Sequence, residues 1–212
     1  MLRVGAVRES AFARGFNRGL KPSVFLLSML PFFYLAWAAW ADSLGPNPAE
    51  ALVRSTGDWT LRFLCLVLAV TPARVIFSLQ SLARVRRMLG LFVYFYASLH
   101  LSCYAWFDMG LEPGEILADI GKRPFILVGF TSWLALTMLA LTSWDRAVRL
   151  LGGRRWRALH RLVYLIAALA ILHFFWMRAG KNDFAEVAVY ALILGGLLVW
   201  RLYRAFWPRP VT

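Results

Sequence analysis

Six long apolar runs constrain this chain more than any other feature, at roughly 24–41, 59–79, 89–107, 124–142, 159–177 and 186–203. A helix crosses the ~30 Å hydrocarbon layer of a bilayer in about 20 residues, rising ~1.5 Å at each. The runs are of about that length, and they lack the spacing that buries only one face of a soluble helix. With 60% hydrophobic and 17% charged residues in 212, a soluble domain is excluded. The expected fold is an all-α integral membrane protein, a bundle of six transmembrane helices. The connections leave no room for a second domain. Residues 1–23 read as a basic cytoplasmic N-terminal segment, 24–203 as one transmembrane domain and 204–212 as a cytoplasmic tail. Ala-Trp-Ala before Asp42 mimics a signal-peptidase site, but the long basic lead and Pro31 favour a retained helix.

The net charge of +13 would suit a nucleic-acid binder if it were spread over a soluble surface. Instead the basic residues cluster between the apolar runs, so no nucleic-acid partner is expected. If both termini share one side, that side collects 18 of the 24 basic residues, and the positive-inside rule makes it the cytoplasm. Of the acidic residues, only Glu9 and Asp145 fall there. The basic stretch from Arg146 to Arg161 reads as a topology determinant and a contact for lipid head groups. Its sharper alternatives are a docking surface for an electron donor or a phosphate site for a flavin.

Three histidines remain, all within apolar runs: His100, His160 and His173. Ionisable side chains at membrane depth are costly and point to function, an interhelical hydrogen bond being the plain alternative. His100 lies thirteen residues beyond Arg87 and His173 twelve beyond Arg161, so both sit ~18–20 Å along outward-running helices. Two neutral imidazoles at one level, slightly beyond the midplane toward the outside, are what a low-spin b-type haem requires of its axial ligands. His160 is thirteen residues before His173, ~20 Å nearer the cytoplasm, and ~100° per residue turns it to another face. It could ligate a second haem with a different partner, contact a flavin, or cap the interface. Arg62, about one turn inside the second run, either snorkels to the interface or meets a haem propionate.

No Cys-x-x-Cys-His motif exists for covalent haem attachment, and Cys65 and Cys103 read as small buried hydrophobes. Neither a dinucleotide-binding glycine motif nor a Walker motif appears, nor a Ser/His/Asp set or a carboxylate pair within a run. An electron-transfer protein is therefore the leading reading. Its rivals are a self-contained membrane reductase acting on ferric iron or dioxygen, and a cofactor-free transporter or scaffold.

Several stretches carry a family resemblance. They are Asn47-Pro-Ala-Glu-Ala-Leu52, Thr56-Gly-Asp-Trp-Thr-Leu-Arg-Phe63, Leu68-Ala-Val-Thr-Pro72, and Arg86-Arg-Met-Leu-Gly-Leu91 leading to Tyr96 and His100. Lys122-Arg-Pro124 follows, then Leu141-Thr-Ser143 and Arg155-Trp-Arg-Ala-Leu-His-Arg-Leu-Val-Tyr164 leading to His173. Together they resemble the ferric reductase-like transmembrane domain, and more closely the MsrQ (YedZ) family. That resemblance implies a multi-pass protein of the bacterial inner membrane, a non-catalytic electron-transfer subunit with haem b and FMN as cofactors. It implies quinol or a cytosolic flavin reductase as donor. The implied acceptor is a periplasmic molybdopterin subunit that reduces methionine sulfoxide in oxidised proteins. It matches His100, His160 and His173 to the family's histidines. Related oxidases hold two haems with two histidines on the third helix; here Arg86 stands where the inner ligand would be.

Overall fold

A computed structural model describes residues 11–180 and 182–207 of the chain; parts of the basic N-terminal segment and of the tail lie outside them. The helices are α1 (Ala11–Trp40), α2 (Pro48–Ile76), α3 (Arg86–Cys103), α4 (Pro113–Lys122), α5 (Pro124–Leu141), α6 (Asp145–Leu151), α7 (Gly153–His160), α8 (Leu162–Ala179) and α9 (Ala185–Phe206). Among the described residues, six segments are long and apolar enough to cross a membrane: Gly19–Trp40, Pro48–Ile76, Arg86–Asp108, Pro124–Leu141, Gly153–Ala179 and Ala185–Phe206. The chain is a multi-pass, all-helical membrane protein.

Helix starts follow local chemistry. The Asn47 side chain accepts from the Glu50 N–H at 3.1 Å, and Pro48 occupies the first turn, where its missing N–H costs nothing. Pro113 and Pro124 open α4 and α5 in the same way. The second span therefore begins eleven residues before the expected position at 59. Its charges Glu50, Arg54 and Asp58 lower the local hydropathy without breaking the helix. The expected outer loops are correspondingly reduced, 48–58 belonging to α2 and 113–122 to α4. On the opposite side Gly152, at φ +73°, makes the turn between α6 and α7.

Pro31 and Pro72, inside spans, would leave backbone groups unpaired in lipid, and side chains from other helices supply partners nearby. Pro72 has no N–H for the Leu68 carbonyl; Arg201 Nη2 of α9 donates to that oxygen at 2.7 Å. Just past Pro31, the Tyr96 hydroxyl donates to the Ser28 carbonyl at 2.8 Å and accepts the Phe32 N–H at 3.1 Å. Tyr96 is fully buried and stacks on Phe63 at 5.1 Å, so this repair also sews α1 to the core. Tyr96→Phe is expected to cost about 1–3 kcal/mol by orphaning buried backbone groups. A lowered unfolding temperature in detergent checks this; an unchanged one would show that α1 does not depend on the hydroxyl.

Around this seam Leu64, Leu68, Val93, Ile166 and Leu194 form the buried centre of the bundle. The closest helix pairs are α2 with α3 and α5 with α8, each an antiparallel pair of consecutive spans. Those two pairs position the site.

Candidate cofactor site

His100 on α3 and His173 on α8 face each other across the bundle, ring centroids 6.1 Å apart and planes at 82°. Both line a cavity of about 360 Å³ enclosed by α2, α3, α5 and α8, within the range of cofactor pockets. His100 Nδ1 lies 2.8 Å from the Val53 carbonyl, and His173 Nδ1 lies 2.6 Å from the Phe125 carbonyl. A carbonyl can only accept, so each Nδ1 carries the proton and each Nε2 keeps its lone pair. Anchoring a ring through one nitrogen to present the other is the arrangement of a metal-ligating histidine.

Each carbonyl is four residues before a glycine. At Gly57 a Cβ would stand 3.2 Å from Cε1 and Nδ1 of His100, and at Gly129 only 2.8 Å from the same atoms of His173. The same device thus occurs twice: one helix of the pair presents the imidazole, and its antiparallel neighbour supplies a carbonyl and a bare Cα for the ring to lie on. The carbonyls precede their histidines by 47 and 48 residues, a repeat with no counterpart in the readable motifs.

These features fit a haem. Two imidazole–metal bonds of about 2 Å each, plus the offset of each ring centre from its nitrogen, match the 6.1 Å separation. Among the described residues no group of three or more His, Cys, Asp or Glu side chains could hold a metal ion directly. Charge gathers at the outer part of the cavity, where Arg54, Asp58, Arg123 and Arg178 line it. There Arg123 binds Asp119 through Nε at 2.5 Å and holds that carboxyl below the usual carboxylate range. Asp119 also accepts from the Tyr104 hydroxyl at 2.5 Å, tying α4 to the π-helical turn Tyr104–Asp108 that follows His100.

Arg62 does not reach this cavity. It lies about four turns along α2, not one, because the helix starts at Pro48. Its side chain is exposed and its guanidinium lies 4.6 Å above the Trp59 ring.

His160 lines a second cavity of about 480 Å³, nearer the α6–α7 end of the bundle, together with Trp156, Tyr164 and the arginines Arg74, Arg86, Arg87, Arg157 and Arg161. Among the described residues no carboxylate lines it. Leu64, Val93 and Leu136 line both cavities as the partition between them. His160 and His173 both bond toward α5, at its C-cap Thr142 and at Phe125, so the two rings turn to the same neighbour at different depths. The expected rotation of His160 to another face is thereby corrected. The turn at Arg161 closes with i→i−3 bonds, from Arg161 N–H to the Ala158 carbonyl and from Tyr164 N–H to the Arg161 carbonyl, and advances faster than ~100° per residue. The His160 ring stacks on Trp156 at 4.0 Å. Thr142 Oγ1 gives its proton to the Met138 carbonyl at 2.8 Å, so His160 Nε2–H donates to Thr142 Oγ1 at 3.2 Å. The ring nitrogen left free at His100 and His173 is the one engaged at His160.

The glycines, Arg178 and the inner cavity's Arg74, Arg86 and Arg87 were not expected to line a site, whereas Arg157 and Arg161 belong to the basic stretch weighed as a flavin phosphate site. Gly57 and the Arg86-Arg87 pair stood inside motifs already noted, but their roles depend on which helices are neighbours.

Comparison with known proteins identifies the family. The family described as "Ferric reductase like transmembrane component" matches residues 56–171, from one residue before Gly57 to two before His173. The chain is 62% identical over 183 residues to the "Protein-methionine-sulfoxide reductase heme-binding subunit MsrQ" of Polaromonas naphthalenivorans, covering 86% of this chain and 84% of that one. Proteins with the same description from Herminiimonas arsenicoxydans and Bordetella pertussis are 50% and 47% identical, with 89% and 93% of this chain covered and 85% and 94% of theirs. No solved structure matches.

Proposed function

Because the chain belongs to the family of the heme-binding subunit MsrQ of protein-methionine-sulfoxide reductase, we propose that it is the electron-transfer subunit of such a system, with a haem b held by His100 and His173. The observation that carries this reading is the facing imidazole pair, each ring anchored through Nδ1 and seated on a glycine. A haem held there by His100 and His173 would supply one-electron oxidation and reduction. The protein keeps the two Nε2 atoms aimed and neutral, and Leu64, Val93 and Leu136 keep the partition between the cavities apolar.

The working unit is the six-helix domain, 24–203, in the bacterial inner membrane. Its basic segment 1–23 and its tail 204–212 face the cytoplasm, as the distribution of arginine supports. The inner cavity takes FMN, or a second haem, with its anionic groups against the arginine cluster; guanidinium forks suit phosphate and carboxylate oxygens alike. His160 contacts that group from its stack on Trp156. Electrons enter from quinol or from a cytosolic flavin reductase on this side. They leave to a periplasmic molybdopterin subunit docked over α4 and the 41–47 connection, which reduces methionine sulfoxide in damaged proteins.

The test uses the purified chain, loaded with haem and reduced by a quinol analogue. It is expected to be reoxidised quickly on adding the catalytic subunit with a methionine sulfoxide substrate, and to stay reduced without them. Rapid reoxidation by ferric chelate or dioxygen alone, unaffected by the partner, would instead make the chain a self-contained reductase.

A further inference from the structure

Arg178 lies five residues beyond His173, ~7.5 Å further along α8 toward the outside, and lines the cavity that holds both imidazoles. It is only 8% exposed, rare for an arginine. Its terminal nitrogens are committed: Nη1 donates to Asp183 at 3.1 Å and Nη2 to Glu186 at 2.5 Å. The guanidinium also rests 5.4 Å from the Phe174 ring centre. Its Nε–H is buried and has no partner in the protein. Among the described residues only Arg201 Nε shares that condition. A buried donor on a charged group left unpaired bears the full loss of its hydration, so a chain that keeps one has a use for it.

The other arginines on this wall are served by their own helices or by α4. Arg123 directs Nε and Nη2 at Asp119, each at 2.5 Å, and Arg54 lies 3.6 Å from Glu50. Asp183 and Glu186 are about half exposed, unlike the Arg178 side chain between them and the cavity. They therefore hold the guanidinium from the solvent side. Glu50, Asp58 and Asp108 also line the cavity, yet none of them accepts from this Nε–H.

We propose that the Arg178 Nε–H binds a carboxylate of the cavity's occupant, one propionate of the haem held by His100 and His173, and so fixes which edge of the porphyrin faces outward. The assignment rests on the haem reading above. A porphyrin carries its charge on its propionates, and a guanidinium fixed by two carboxylates binds a third with little further ordering. Arg178, not the exposed Arg62, is then the residue that selects and orients the cofactor's acidic edge.

A binding cycle with esterified haem tests this without relying on activity. Full-length protein made without haem is titrated in detergent with haem and with haem dimethyl ester, as wild type, Arg178→Gln and Arg178→Lys. We expect Arg178→Gln to weaken haem binding about tenfold and to leave binding of the diester unchanged. Arg178→Lys keeps a cation for Asp183 and Glu186 but lacks the Nε–H, and is expected to show an intermediate loss, again for the diacid alone. That variant carries the test if the glutamine variant does not fold. Equal losses with both porphyrins would make Arg178 a purely structural residue and overturn the proposal, as would no loss with either. If wild type takes up neither porphyrin as a six-coordinate complex, the haem reading itself fails, an outcome distinct from failure of Arg178 alone.

Discussion

Alanine at His173 or at His100 is expected to abolish the low-spin, six-coordinate haem spectrum, leaving at most a five-coordinate, high-spin haem. No substitute histidine is at hand. No other histidine lines the cavity, and the remaining one, His160, lies beyond the apolar wall of Leu64, Val93 and Leu136 with its Nε2 engaged by Thr142. His160→Ala is accordingly expected to keep the low-spin bands of this site. Oxidised and dithionite-reduced spectra of the three variants check the assignment. Bands kept without His173 but lost without His160 would reverse the pairing.

Alanine at Gly129 should separate folding from cofactor binding. In the middle of a helix, glycine to alanine ordinarily stabilises by about 1 kcal/mol. Here the new methyl would stand 2.8 Å from the His173 ring, inside contact distance, with the ring held against α5 by the Phe125 carbonyl. Either the ring or α5 must shift, an overpacking cost of about 1–3 kcal/mol that falls on the axial ligand. Haem retention is expected to drop about tenfold to a hundredfold, while the helix content and assembly of the apoprotein are preserved. Gly57→Ala places its methyl at 3.2 Å from His100, where a few tenths of an ångström of yielding suffices, so its loss should be smaller. Haem-to-protein ratios of the two variants, beside their circular dichroism, test the order. Full haem content in Gly129→Ala would show that the glycine cradle does not constrain the ligand.

Depth was legible in the sequence and direction was not. The apolar runs and clustered arginines set the number of crossings, and counting from Arg87 and Arg161 placed His100 and His173 at one level; their rings stand 6.1 Å apart. Rotation about a helix axis is harder to read, because a few tight i→i−3 bonds shift the phase. One such turn at Arg161 brought His160 round to α5, the neighbour that His173 also meets. Helix ends were hidden where charges interrupt an apolar run. Starting α2 at Pro48 carried Arg62 deep along the helix and onto Trp59, while Arg178, just past the expected end of the fifth run at 177, became a buried wall of the cavity. The Gly57 and Gly129 seats lie on partner helices 43 and 44 residues from the histidines they serve. Nothing local marks them, since a glycine within a span has the same sequence signature whether it faces lipid or a ring.

The most direct test of the central claim is the electron paramagnetic resonance spectrum of the ferric, haem-loaded protein. The two rings stand at 82° to each other, and near-perpendicular axial imidazoles give a strongly anisotropic low-spin signal, unlike the rhombic pattern of parallel rings. We expect that anisotropic signal in wild type and in His160→Ala, and its absence from His100→Ala and His173→Ala. A high-spin signal in wild type, or a low-spin signal that survives the loss of His173, would contradict a haem held between these two histidines.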